Sequence, residues 1–178
     1  RFTIEGFVKN YADYPISVAE GVSLANKGGG FEVLGNEAIL TEGEGQSSGA
    51  ELLFQQKLSR NCYGVFAYTY FFSDFTGLDG ISRPSVWDSR HLISFSGGYK
   101  LKRNWEISAR WRYAGKNPYV PIDVDQSIAS YPELILDYDR LGEVTLNSFN
   151  LADIRIDKKW NFEKIGDYFN GFYKNKLP

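Results

Sequence analysis

The residues able to do covalent or metal chemistry are few and scattered. His91 is the single histidine and Cys62 the single cysteine of 178 residues. Nucleophilic catalysis needs a base within hydrogen-bond reach of an activated hydroxyl or thiol. No Ser or Cys partner phrase accompanies His91, which opens an alternating run, where a structural or rim-exposed imidazole is expected. Cys62 follows a tight turn and reads as a small packing residue. Together they leave no material for a histidine-based zinc site.

Carboxylates offer little more. Asp123-Val-Asp125 and Asp137-Tyr-Asp139 place acids two apart in a loop. Calcium takes six to eight oxygens, and the spacing of an EF-hand is missing. An acidic, solvated loop is the expectation. The stretch "NKGGGFEVLG" is glycine-rich but lacks the lysine and hydroxyl of a phosphate cradle. The chain therefore reads as a non-enzyme with no cofactor or metal. A net charge of −2 and a pI near 5.5 argue against a nucleic-acid partner.

The informative polar residues are those that alternate with tryptophans. In "WEISARWRY", Glu106, Ser108, Arg110 and Arg112 oppose Trp105, Ile107, Ala109, Trp111 and Tyr113. Farther on, Asp153, Arg155, Asp157 and Lys159 oppose Ile154, Ile156 and Trp160. Period-two alternation predicts strands with one apolar and one polar face. About six such stretches are expected, at 1–10, 47–58, 62–73, 91–100, 105–113 and 147–160. In 62–73 both faces are apolar or aromatic, so its facing stays open.

The connections sort into two kinds. "KLSRN" and "KLKRN" supply short turns, with a third expected near Asn161. Residues 11–45, 74–90 and 114–146 are long, and the two kinds alternate. In an antiparallel up-and-down meander, short turns then gather on one rim and long loops on the other. That is the plan of an outer-membrane barrel. From Trp105 to Tyr113 a strand spans roughly 26 Å at about 3.3 Å per residue, close to the ~25 Å apolar band of such barrels. Trp105, Trp111, Tyr113, Tyr99 and Trp160 are expected at its aromatic borders. Glu106, Arg110, Arg112, Asp153, Arg155 and Asp157 would face a lumen, since a dry interior could not take them unpaired.

Several phrases resemble the C-terminal part of a TonB-dependent outer-membrane receptor. They are "FTIEGFVKNYADYPISVAEGVSLANKGG", "GAELLFQQKLSRNCYGVFAYTY", "PSVWDSRHLISFSGGYKLKRNWEISARWRYAGKNPYVPID" and "FNLADIRIDKKW". Their order covers most of 1–162. The resemblance implies a plugged barrel of about 22 strands in the outer membrane of a Gram-negative bacterium. It also implies an extracellular small ligand (an iron chelate, cobalamin or oligosaccharide) and inner-membrane TonB acting on the plug. The partners would be outer-membrane lipid, the rest of the receptor with its plug, and TonB through that plug.

The chain departs from this pattern in lacking the plug and most of the barrel. It has no methionine and opens directly on an alternating run, and so reads as a fragment. Residues 163–178 diverge and are expected to be truncated or irregular. Loop aromatics Tyr14, Trp87, Tyr119 and Tyr131 would either touch a ligand or pack the loops together. Two other readings remain. A soluble all-β ligand-binding module would bring Ile93, Phe95, Trp105, Ile107 and Trp111 into one dry core. A small complete eight-stranded barrel would need further strands within 11–45 and 163–178.

Overall fold

The computed structural model describes residues 1–27 and 35–160. Among the described residues nine strands form: β1 (Phe2–Ser17), β2 (Ile39–Ser59), β3 (Cys62–Thr76), β4 (Ser82–Pro84), β5 (His91–Lys100), β6 (Trp105–Ala114), β7 (Pro118–Tyr119), β8 (Val144–Thr145) and β9 (Phe149–Lys158). One short helix, α1, spans Val124–Ala129. The protein is all-β, and its main sheet is an antiparallel meander in the order β1-β2-β3-β5-β6-β9, with β4 paired to β3. Among the described residues the sheet is open, with β1 and β9 at its two edges. Residues 161–178, including the expected third turn and the divergent tail, lie outside the described residues.

Both "KLxRN" motifs make the expected turns, and backbone conformation says why. Arg60 and Asn61 have φ of 47° and 69°; Arg103 and Asn104 have φ of 59° and 60°. Two successive left-handed residues match the right-handed twist of the flanking strands. Asn tolerates that region better than most residues because its short side chain hydrogen-bonds locally.

The strands beside the first loop are longer than expected. β1 runs on to Ser17 rather than stopping near residue 10, and β2 starts at Ile39 rather than 47. A bulge between Tyr11 and Tyr14 resets the side-chain alternation, with Asp13 at φ 54°. That break in period hides the continuation. Pro15 is tolerated within β1 because an edge strand needs no ladder donor on its open side. Smaller differences are that β3 extends to Thr76, β6 ends at Ala114, and β9 spans Phe149–Lys158, leaving Trp160 beyond it. The long loop 114–146 contains β7, α1 and β8.

Register fixes which side chains share a face. Phe2, Phe54, Phe66, Phe95, Trp111 and Ala152 stand side by side across the six long strands. Facing in β3 is thereby settled: Phe66, Tyr68, Tyr70 and Phe72 join this outer face, and Tyr63, Val65, Ala67, Thr69 and Phe71 the inner one. The protein core is elsewhere. Its buried apolar residues Ile16, Val22, Ala25, Phe75, Val120 and Leu141 all lie at the long-loop rim.

Replacing Asn61 or Asn104 by Val should cost about 1–2 kcal/mol, the penalty of a left-handed Cβ, whereas Gly should be tolerated. Unfolding midpoints in urea would show it; equal midpoints for the Val and Gly variants would contradict the turn geometry.

Candidate functional site

The inner face carries the charges singled out from the sequence. Tyr63 on β3 reaches across β5 to donate its hydroxyl to Glu106 on β6. It can do so because residue 98 is glycine: a Cβ there would stand 2.6 Å from the tyrosine oxygen. Arg110 Nε lies 3.3 Å from Asp153 Oδ2 on β9. Arg155 donates to Asp157 from Nε at 3.0 Å and from Nη2 at 2.8 Å. Arg112 stands in register between Ser94 and Leu151. All six predicted polar residues thus share one face. Exposed pairs of this kind add at most about 1 kcal/mol each, so their common placement matters more than their energy.

The outer face is apolar and uncovered. Phe2, Ile4, Val8, Phe54, Phe72, Phe95, Tyr99, Trp105, Ile107, Trp111, Ile154 and Ile156 are all exposed on it. Its borders are aromatic with a cation at each. On the long-loop side Tyr68 and Tyr70 lie against the His91 ring, at 6.0 and 5.0 Å between centroids, and Arg90 sits 4.1 Å over Phe72. The Tyr68 hydroxyl is 2.8 Å from His91 Nδ1. On the short-turn side Lys158 lies 5.1 Å from the Trp105 ring and 5.3 Å from Trp160. Trp111 donates its indole N–H to Asn150 at 2.7 Å and neighbours Tyr113.

This band is slanted relative to the hydrogen-bond rows. On β1 its upper border is Val8, level with Phe72 on β3. By β6 the border residue is Tyr113, level with Ile4. The border is thus level from β1 to β3 and falls by four residues from β3 to β6, two per strand. Above the border, Asn10, Gln46 and Asp74 continue the outer face as polar residues.

The long loops knit into one rim. Loop 18–38 bonds to loop 77–90 through Leu78 N–H to Gly21 O at 2.8 Å and Val86 N–H to Ala25 O at 3.1 Å. Asn26 Nδ2 donates to Arg83 O and Pro84 O, each at 3.0 Å. Arg83, buried, links the second loop to the third: Nη2 is 2.7 Å from Asp79 and 2.9 Å from Asp139, and Nε donates to Tyr138 O at 3.1 Å. Lys27 likewise joins Glu20 at 2.5 Å and Glu37 at 2.7 Å. Hydrogen bonds from Lys27 and Ser17 hold the Glu37 carboxyl below its ordinary pKa, and Arg83 does the same for Asp79. Burial pushes Asp88 up, although the Ser73 and Arg90 amides donate to it.

Of the loop aromatics, Tyr14 and Trp87 pack on Phe75, at 4.5 and 5.8 Å between centroids. Tyr119 and Tyr131 are exposed. Asp123 caps α1 by accepting the Gln126 amide at 2.9 Å. Between the loops lies a cavity of about 780 Å³ bordered by Glu20, Asp79, Arg83, Asp123 and Asp137. Arg83 and Lys158 also reach partners far along the chain, Asp139 and Tyr138 for the first, Trp105 and Arg103 O for the second, which no local spacing signals.

Arg83→Ala should destabilise the rim by about 1–3 kcal/mol, and Arg83→Lys should not restore it, since an ammonium lacks the planar fork. Amide hydrogen exchange over 79–86 and 137–141 would rise in both; unchanged exchange would show that the three loops are held by other contacts. Comparison with known protein families, with curated proteins and with solved structures finds no match for this chain.

Proposed function

We propose that these strands are part of a large outer-membrane barrel of the TonB-dependent receptor kind, taking up a scarce ligand from outside the cell. One observation carries the reading: a continuous apolar face spans six strands with no described residue over it, while the buried core of the described residues sits at one rim. Fully burying a large apolar side chain stabilises by about 1.5–3 kcal/mol. A dozen left about half exposed in water would forgo an amount comparable to the ~5–15 kcal/mol that holds a typical domain together. Lipid removes that conflict.

Three further features support it. Between β3 and β6 the border of the band runs oblique to the hydrogen-bond rows, in keeping with strands tilted in a bilayer. Tryptophan, tyrosine and a cation at each border suit the headgroup region, where a ring can be half wet. Long packed loops on one rim and two-residue turns on the other follow the barrel plan. In this reading the inner face, with Glu106, Arg110, Arg112, Asp153, Arg155 and Asp157, meets a wet or plugged lumen. The ligand first meets the loop rim and its cavity, and TonB acts through a plug supplied by the rest of the receptor.

The soluble module fares worse: Phe95, Trp105, Ile107 and Trp111, which it would bury, are exposed. The eight-stranded barrel gains no further strand from the described parts of 11–45, which lengthen β1 and β2 instead. Fold and phase decide. The full chain should partition into the detergent-rich phase and show blue-shifted tryptophan emission when added to vesicles. A stable aqueous monomer that ignores both would sink the proposal.

A further inference from the structure

The short-turn rim is uneven in charge on its outer side. Lys102 and Arg103 lie in the β5–β6 turn, and Lys158 and Lys159 at the end of β9. The nearest carboxylates, Glu106 and Asp157, are paired with each other in register on the inner face, and both are occupied there by Tyr63 and Arg155. Lys158 points the other way. It is opposite Trp105 on the outer face, lies near both the Trp105 and Trp160 rings, and donates one N–H to Arg103 O. An ammonium has three donors, so two remain for an anion.

Farther up the same face the side chains vanish. Gly64, Gly97 and Ala109 stand in one row across β3, β5 and β6. They form the floor of an apolar trough of about 420 Å³ walled by Phe66, Phe95, Tyr99 and Ile107. Trp105 to Ala109 is about 13 Å along the strand at ~3.3 Å per residue, so one amphiphile spans cations and trough.

We propose that this is a specific site for an anionic glycerophospholipid: phosphate at Lys158, Lys102 and Arg103, and an acyl chain over Gly97 and Ala109. The inference rests on the membrane-barrel reading and adds a ligand class to it. Charge complementarity selects the headgroup, because among the described residues no carboxylate shares the outer face beside Lys158. The glycine row selects the tail, because a flat chain fits where side chains would stand clear of the sheet.

The test uses the full chain in phosphatidylcholine vesicles that contain a minor fraction of lipid with dibrominated acyl chains, which quench tryptophan on contact. Brominated phosphatidylglycerol is compared with brominated phosphatidylcholine at equal mole fraction. One engaged cation enriches an anionic lipid about fivefold, so the glycerol lipid should quench at about a fifth of the concentration. Raising the salt, which screens the contact, and Lys158→Gln should each bring the two lipids together; Lys57→Gln, on the other turn, should not. Equal quenching by both lipids in low salt would overturn the site and leave the barrel standing. Quenching by neither would overturn both.

Discussion

The inner strands of this sheet have their backbone paired on both sides along most of their length, yet one face of side chains has no described residue packed over it. The second fact constrains everything else. A sheet of this composition can exist only where something apolar covers that face, and nothing in the described chain does. The core that does form, around Phe75, Ile16 and Val22, lies beyond the upper border of the band. Packing and apolar exposure are therefore separated along the strands, with the change occurring near Val8, Phe72 and His91.

That separation divides the labour between the two ends. At the short-turn rim the chain reverses in two residues and leaves its cations outside. At the long-loop rim Arg83 ties the second connection to the third through Asp79 and Asp139. Asn26 ties the first to the second through Arg83 O and Pro84 O, and Lys27 bridges Glu20 and Glu37 within the first. Buried cations are tolerated there because each is matched, and an unmatched one would cost several kcal/mol. Long loops made rigid in this way can hold a ligand-facing surface in place, as binding loops on a firm scaffold do.

Much of this was legible in the sequence, and the exceptions have physical causes. The faces of β6 and β9 and both tight turns follow from alternation and from Arg-Asn at the reversals. The extension of β1 and β2 was hidden because the bulge at Asp13 breaks the period and the outer residues turn polar at Asn10 and Gln46. β3 was ambiguous because its inner face is also aromatic. The resolving signal is not in β3 at all: Tyr63, Phe71 and Phe75 lie against Gly98, Gly49 and Gly45 of adjacent strands. An aromatic facing a glycine across a ladder is a pairing property, invisible until register is known. The same holds for Arg83, whose partner Asp139 arrives from another loop.

The proposal that the outer face meets lipid can be tested directly on β6. Single cysteines placed in turn from Trp105 to Ala114, in a Cys62→Ser background, would carry a nitroxide label in lipid vesicles. Collision with oxygen, which concentrates in the bilayer, should peak at 105, 107, 109, 111 and 113. Collision with a water-soluble nickel chelate should peak at 106, 108, 110 and 112. Loss of the alternation, or nickel access at both sets of positions, would contradict a sheet with one face in lipid.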